Sequence, residues 1–329
     1  MNLLTLSQSS LMAASIVAFG TTTATAQQHG QQSAPADLVN ALHSAFGDHH
    51  SRAVHAKGII LEGSFTPDEG ASRLTKASHL QSKGSKVIVR FSDFTGIPDI
   101  PDNVGDANPR GMAIKFILPD GSTTDLVTHS FNGFPTPNSD EFRELLLSIG
   151  ASGPGAAKPT QLSQFLDTHP VAKTFLTTQH TPASYAAISY YGINSFKFTN
   201  RKGAAQYVRY QILPAEGESL LTPQQLAQKG PDYLINEIKD HVAAGSIRFL
   251  LYVQIAAEGD IIDNPSIAWP DTRKKVLLGT IELKSLAPDT VEDKKLFFIP
   301  NNIPDGIEPA DPMIDFRSAA YPISVKERQ

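Results

Sequence analysis

The sequence predicts an α+β fold: a closed, eight-stranded antiparallel barrel with helices packed around it. Two groups of four segments carry the alternating or β-branched pattern that is typical of strands. Helical segments separate the two groups, and Asp120-Gly121 is placed to form a hairpin turn between the third and fourth strands. An eight-stranded barrel is just wide enough to enclose side chains or one ligand.

The predicted strands fall in two runs along the chain. The first run covers residues 56–65, 86–92, 112–118 and 123–129. The second run covers residues 194–199, 205–213, 247–258 and 276–284. After the last strand, several prolines between residues 300 and 309 predict a stiff, extended crossing.

Helices are predicted between and after these strands. They cover residues 37–46, 138–150, 165–191 and 223–244, and a further helix carries Arg317 and Tyr321. Gly47 closes the first helix, and Asn138 caps the second, which has Phe142 on its apolar side. We expect residues 37–329 to form one domain.

Composition narrows the possible chemistry. The chain has 329 residues, a formal net charge of -5 and 28 scattered Lys and Arg residues, so no nucleic-acid partner is indicated. It contains no cysteine, which excludes disulfides and thiolate metal sites. Any metal must therefore be bound by histidine, tyrosine or carboxylate side chains.

The first 26 residues have the pattern of a secretory signal peptide. They carry no charged side chain, contain the apolar run 11–19 and end in Ala24-Thr25-Ala26, a small-x-small cleavage pattern. The apolar run is too short for a membrane span, so we expect no stable membrane insertion. Residues 27–36 are predicted to be a flexible lead-in. The mature protein is therefore expected to be periplasmic or secreted, although the missing positive segment leaves a short anchored N-terminus as the alternative.

The pair Arg317 and Tyr321 is four residues apart, which places both side chains on one helix face. A guanidinium next to a phenol favours the phenolate, the form that binds ferric iron. Pro322 is predicted to end regular pairing directly after the tyrosine. The spacing alone also suits an ordinary core tyrosine beside a surface arginine. A second cluster, His49, His50 and His55, does not by itself predict a metal site, because adjacent histidines on an exposed turn are usually solvated.

Seven short blocks, in order along residues 52–328, resemble the haem-binding core of the catalases and especially the small catalase-related peroxidases. The blocks are RAVHAKG (52–58), VRFS (89–92), NPRGMAIKF (108–116), DLV (125–127), NSFKF (194–198), IPDGIEP (303–309) and RSAAYP (317–322). The resemblance implies a haem cofactor, of the b type, with Tyr321 as the axial ligand of the iron and Arg317 as the residue that keeps it ionised.

Further roles follow from the same resemblance. His55 matches the distal histidine, a general base for bound peroxide; Ser92 matches its hydroxyl partner, and Val54 an apolar channel residue. Arg52, Arg90 and Arg328 match the arginines that hold the two haem propionates. Phe142 and Phe298 match aromatic residues that pack against the porphyrin.

Three departures from the family pattern separate this chain from the large catalases. The position of a family asparagine that orients peroxide is His129 here, and either His129 or the nearby Asn132 is a candidate to replace it. A family histidine near the ligand helix is Val325. The chain ends eight residues after Tyr321, so we expect a monomer or a small homo-oligomer and not the interlocked catalase tetramer.

The expected activity is reduction of hydrogen peroxide or organic hydroperoxides by a small organic electron donor, with weak catalase activity, in oxidative-stress defence. One alternative is a related barrel that metabolises fatty-acid hydroperoxides, which would share Tyr321, Arg317 and His55. Another is an exported barrel that binds haem or a lipid without turnover.

Overall fold

Eight strands form a closed antiparallel barrel, and a ninth short strand lies beside them. The computed structural model describes residues 33–81, 84–178, 180–289 and 291–329. The strands are β1 (Gly58–Pro67), β2 (Ser85–Ser92), β3 (Gly111–Ile117), β4 (Thr123–His129), β5 (Tyr190–Thr199), β6 (Ala205–Pro214), β7 (Ile247–Ile255), β8 (Lys275–Leu286) and β9 (Ile307–Pro309). The predicted eight-stranded barrel is confirmed.

Each barrel strand pairs with its neighbours in sequence, and β1 pairs with β8 to close one side. The closure between β4 and β5 is a single pair, His129 with Tyr191. The segment after β8 fills the remaining gap, because Asp125 N donates to the Asn302 carbonyl at 2.9 Å and β9 pairs with β5. The predicted extended crossing therefore completes the barrel wall, and its short strand β9 was not predicted.

The barrel interior is filled by side chains that alternate along the strands. On β2, Val87, Val89 and Phe91 are at most 1% exposed and point inward. Phe91 stacks on Tyr185, with ring centroids 5.5 Å apart. Full burial of one such apolar side chain contributes about 1.5–3 kcal/mol to the free energy of unfolding. The apolar face of β2 therefore fixes which of its residues lie inside the barrel.

The helices lie outside the barrel. They are α1 (Pro35–Phe46), α2 (Ser139–Gly150), α3 (Gln161–Thr168), α4 (Pro170–Thr177), α5 (Pro223–Leu226), α6 (Tyr233–Ala244) and α7 (Met313–Glu327). A second apolar cluster joins α1, α2 and α7, with Leu42, Leu145 and Phe316 among its members. Asn138 caps α2 by accepting from Glu141 N at 2.9 Å, as predicted. Within the described ranges, no helix has the length and apolar character that crossing a bilayer requires.

Two predicted helices are interrupted. The stretch 165–191 contains the second half of α3 and all of α4, and strand β5 already begins at Tyr190, so the single long helix was wrong. His169 (φ -124°, ψ 75°) leaves helical geometry immediately before Pro170, which then opens α4. The stretch 223–244 is likewise divided into α5 and α6 by a turn that contains Pro231.

The ends of the domain also differ from the prediction. Helix α1 begins at Pro35, so the last two residues of the predicted flexible lead-in 27–36 are helical. The predicted signal peptide 1–26 lies outside the described residues, as do residues 27–32. At the other end, Pro322 lies inside α7 and does not end it.

Tertiary contacts explain why α7 continues past Pro322. The Ala53 N–H donates to Ser324 Oγ at 3.2 Å, and Arg328 Nε donates to the Lys294 carbonyl at 2.9 Å. These contacts fix the turns on the far side of the proline, where the helix lacks one backbone hydrogen bond. Helix α7 is therefore longer than the sequence indicates and brings Arg328 next to the segment 294–296.

Candidate active site

One cavity collects almost all of the predicted site residues. The cavity has a volume of about 170 Å³. It is lined by residues of α1, residues 52–55, β2–β4, α2 and α7. Lining residues predicted from the sequence are Arg52, Val54, His55, Arg90, Ser92, His129, Phe142, Phe298, Arg317, Tyr321 and Arg328. Asn132 is not among the lining residues.

Helix α7 supplies a phenol held by a chain of polar contacts. Arg317 Nη2 donates to Tyr321 Oη at 3.1 Å, and Arg317 Nη1 donates to Asn194 Oδ1 at 2.6 Å. Asn194 Nδ2 in turn donates to Asp311 Oδ2 at 2.7 Å. Burial raises the pKa of the Asp311 carboxyl, against the hydrogen bond from Asn194. The Arg317 guanidinium is therefore oriented by Asn194, which is itself held by Asp311. Neither residue could be identified from the helix spacing of Arg317 and Tyr321.

His55 is held in an unusual backbone conformation. Its φ of 58° lies in the left-handed region, which side chains such as histidine adopt at a cost. Its N–H donates to the Phe94 carbonyl at 2.8 Å. Its Nδ1 lies 3.1 Å from the Asp93 carbonyl and 3.0 Å from Ser92 Oγ. Because a carbonyl only accepts, Nδ1 carries the ring proton and Nε2 is left as an acceptor.

Gly111 makes room for the His55 ring. Strand pairing places Ser92, Gly111 and His129 in one row across β2, β3 and β4. A Cβ on Gly111 would lie 2.7 Å from His55 Nδ1 and 2.5 Å from Ser92 Oγ. Both approaches are shorter than real contacts allow, so only glycine permits this arrangement.

Burial keeps the His55 ring neutral. Desolvation, followed by the positive charge of Arg90, lowers the pKa of His55 to about 3. The hydrogen bond to the Asp93 carbonyl acts in the opposite direction but is the weaker effect. At neutral pH, His55 is therefore an unprotonated imidazole with a free lone pair on Nε2.

His129 has the opposite arrangement of its two ring nitrogens. The Phe131 N–H donates to His129 Nδ1 at 3.3 Å, so Nδ1 is an acceptor and Nε2 carries the proton. Nε2 is buried and has no hydrogen-bond partner within the described part of the chain. Burial, followed by the neighbouring His55 and Arg317, lowers the pKa of His129 to about 3.

Three arginines meet at one end of the cavity. Arg90 donates to the Asp293 carboxylate through Nε (2.7 Å) and Nη2 (3.1 Å), and Arg52 Nη2 lies 3.1 Å from the same carboxylate. Backbone carbonyls of residues 293, 294 and 296 accept from Arg52 and Arg328. The cluster therefore has three positive side chains and one carboxylate, which two of them contact directly.

Burial and the neighbouring positive charges lower the pKa of two of these arginines. Burial, and then Arg90, lowers the pKa of Arg52, and burial lowers that of Arg328. Arginine nevertheless stays charged in proteins, so the cluster favours bound anions. Two added carboxylates would match the excess of two positive charges.

The donor set fits a haem. A phenol with a fixed guanidinium suits the axial position of a ferric iron, and the arginine cluster suits two propionates. Phe142 and Phe298 are at most 9% exposed, and Val54 and Ala320 also line the cavity. The cavity thus combines apolar walls with a positively charged end and a phenol oxygen on α7.

Sequence reasoning missed several of these residues. Asn194 belongs to the NSFKF block that resembles the catalases. Its contact with Arg317 spans 123 residues, and no local pattern in the sequence predicts it. Asp293 lies in an irregular segment, 203 residues from Arg90. Gly111 could have been noticed, because it follows the arginine of the NPRG motif, but the ring that it accommodates comes from another segment.

Comparisons with known proteins agree with this geometry. Residues 44–329 match the family model described as catalase. A catalase-related peroxidase of Mycolicibacterium paratuberculosis is 36% identical over 285 residues, which cover 84% of this chain and 88% of that protein. A catalase-related peroxidase of Synechococcus elongatus is 29% identical, with 89% and 88% covered.

Solved structures show the same fold. Catalase A of Saccharomyces cerevisiae superposes with a TM-score of 0.75 at 22% identity, over 84% of this chain and 61% of that one. A fungal catalase gives a TM-score of 0.74 at 22% identity, over 84% and 59% of the two chains. The chain thus spans about three fifths of the length of these solved catalases. The predicted catalase-like α+β fold is confirmed, and the chain belongs to the catalase family.

Proposed function

We propose that this protein is a haem peroxidase that reduces hydrogen peroxide or organic hydroperoxides with small organic electron donors. Membership of the catalase family makes it a peroxide oxidoreductase of that family. The single observation that supports the haem proposal is the cavity in which Tyr321, paired with Arg317, lies together with neutral His55 and three arginines. The two catalase-related peroxidases, each covered over 88% of its length, favour peroxidase activity over efficient catalase activity.

The roles of the chain's own residues follow from their geometry. Arg52, Arg90 and Arg328 would bind the propionates of haem b, and Tyr321, with the Arg317 guanidinium hydrogen-bonded to its phenol oxygen, would hold the iron. Bound haem would supply the redox chemistry. Nε2 of His55 is the acceptor that takes a proton from the hydroperoxide and returns it to the far oxygen, while Ser92 and the Asp93 carbonyl hold the ring in the required tautomer.

The test is to purify the protein from haem-replete cells and to follow peroxide loss and oxygen evolution in the same vessel, with and without a phenolic donor. Peroxide loss that requires the donor and releases little oxygen supports the proposal. Rapid oxygen release without donor indicates a catalase. Conversion of a lipid hydroperoxide to a rearranged product indicates the fatty-acid alternative, and bound haem without any turnover indicates a binding protein.

We further propose that the protein is exported, acts in oxidative-stress defence and is a monomer or small homo-oligomer. Export is supported by the uncharged, apolar pattern of residues 1–26 and the Ala24-Thr25-Ala26 motif. N-terminal sequencing of protein from the periplasm or medium should find a chain that starts after Ala26. Light scattering of that material gives the oligomeric state, and an intact N-terminus on cytoplasmic protein would contradict export.

A further inference from the structure

Phe297 is the exposed residue of the cavity wall. It is 45% exposed, whereas every other lining residue in the described chain is buried or half-buried. Other exposed large apolar side chains within the described ranges, such as Leu220 and Ile267, do not line the cavity. The Phe297 ring therefore stands where the cavity meets the surface.

The backbone on both sides of Phe297 is fixed. The carbonyl of the preceding residue accepts from Arg52 Nη2 at 2.6 Å and from Arg328 Nη2 at 2.9 Å. Two residues after the ring, Ile299 N donates to Asp125 Oδ2 at 2.9 Å. An exposed ring on a fixed backbone loses little conformational freedom when a ligand binds to it, and this preorganisation favours binding.

The charge beside the ring is already paired. Lys115 Nζ lies 5.7 Å from the centroid of the Phe297 ring and 5.4 Å from that of Phe298. The same amino group donates to Asp125 Oδ1 at 2.5 Å. A ligand on Phe297 therefore meets a flat apolar ring beside a neutralised amino group, which favours an uncharged aromatic molecule.

Strand β3 separates this ring from His55. Alternate residues of a strand point to the same side, so Gly111, Ala113 and Lys115 follow one another on one face of β3. Gly111 accommodates the His55 ring at one end of this row, and Lys115 contacts Phe297 at the other. Four residues of strand span about 14 Å. A molecule on Phe297 therefore leaves the space beside His55 free for peroxide.

We propose that Phe297 is the docking site of the reducing substrate, an uncharged planar phenol that packs on its ring at the mouth of the cavity. In each turnover two phenols each lose one electron and one proton. The O–O bond of the hydroperoxide breaks, and these electrons and protons convert the hydroperoxide to an alcohol and water. The inference rests on the proposed function, because it names the class of the donor and its place beside the same cavity.

The test compares two donors in the haem-loaded protein: guaiacol, an uncharged phenol, and ferrocyanide, which has no ring. Loss of one aromatic contact in Phe297→Ala should lower the ratio of kcat/KM for guaiacol to kcat/KM for ferrocyanide about two- to tenfold. Phe297→Trp should restore the ratio. Tyr207→Ala is the matched control and should keep the wild-type ratio, because Tyr207 is a 39% exposed aromatic residue that does not line the cavity. Phe297→Leu, which also removes the ring, serves if the alanine variant does not fold.

Calorimetric titration of guaiacol into the protein without peroxide gives a second measurement that does not depend on turnover. We expect Kd to rise about two- to tenfold in Phe297→Ala and to stay at the wild-type value in Tyr207→Ala. A folded, haem-loaded variant without the ring that keeps both the wild-type ratio and the wild-type Kd would overturn the docking site and leave the proposed function intact. Wild-type protein that oxidises neither donor would instead overturn the proposed function, and this inference with it.

Discussion

The two sides of the cavity are built in different ways. On α7, Arg317 and Tyr321 are four residues apart and meet because helix geometry brings them together. On the barrel, strand pairing brings together Ser92, Gly111 and His129. His55 joins them from outside the strands through hydrogen bonds to the Asp93 and Phe94 carbonyls. The α7 side presents a guanidinium that donates to a phenol oxygen. The barrel side presents two neutral imidazoles in opposite tautomers. A locally encoded Arg–Tyr pair thus lies in the same cavity as two histidines that only the tertiary fold brings together.

The largest effect on the barrel side is expected from His55→Ala. Removing a general acid and base should lower peroxide turnover by about 10²-fold or more, while haem binding persists because the α7 contacts are intact. The measurement is steady-state turnover with a phenolic donor, beside the visible spectrum. His241→Ala on α6 is the control, since His241 does not line the cavity. Full turnover in His55→Ala would mean that another group accepts the proton.

Gly111→Ala tests whether the strand row positions His55. The added Cβ would lie 2.7 Å from Nδ1, so the ring must move. Since a displacement of about 1 Å can reduce a rate up to about 10²-fold, we expect at least a tenfold lower kcat with haem content unchanged. Gly121→Ala, in the hairpin turn, has open space around it but a positive φ, and it controls for general strain. Equal kcat in both variants would contradict the proposed crowding.

The buried neutral histidines predict how the free energy of unfolding depends on pH. Burial lowers the pKa of His55 and His129 to about 3 and that of His79 to about 4, from an ordinary value of 6.5. Below pH 6.5 the unfolded chain therefore binds more protons than the folded chain. The stability that these neutral histidines contribute is present above pH 6.5 and is lost as the pH falls toward about 4 for His79 and about 3 for His55 and His129.

Each buried histidine should lower the free energy of unfolding by up to about 1.4 kcal/mol per pH unit below its unfolded pKa. Urea unfolding of the haem-free protein between about pH 7 and pH 5 measures this slope. His129→Gln should reduce the slope by one histidine's share. An identical slope in His129→Gln would show that His129 is already protonated in the folded state.

The smallest effect is expected from Asn194→Leu on the α7 side. The change removes the acceptor of Arg317 Nη1 and the donor to buried Asp311. An unsatisfied buried group of this kind costs about 1–3 kcal/mol, which urea unfolding should detect. Asn236→Leu, on the exposed face of α6, is the control. No loss of stability in Asn194→Leu would mean that water replaces the contact.

The sequence predicted the features that local patterns encode and missed those that depend on distant contacts. The barrel strands and the Arg317–Tyr321 pair carry local patterns, with periods of two and four residues, and both appear in the structure. Asp293 and Asn194 have no local pattern, because their contacts with Arg90 and Arg317 span 203 and 123 residues. The role expected of Pro322 was wrong because contacts outside the helix stabilise the turns beyond it.

The most direct test of the central claim is the visible spectrum of the purified protein beside Tyr321→Phe, with Tyr207→Phe as a control at a partly exposed tyrosine. We predict that the wild-type protein and Tyr207→Phe carry bound haem with the same spectrum, and that Tyr321→Phe loses the haem or shows a changed axial ligand. Identical spectra and haem content in Tyr321→Phe and wild type would contradict the assignment of Tyr321 as the iron ligand.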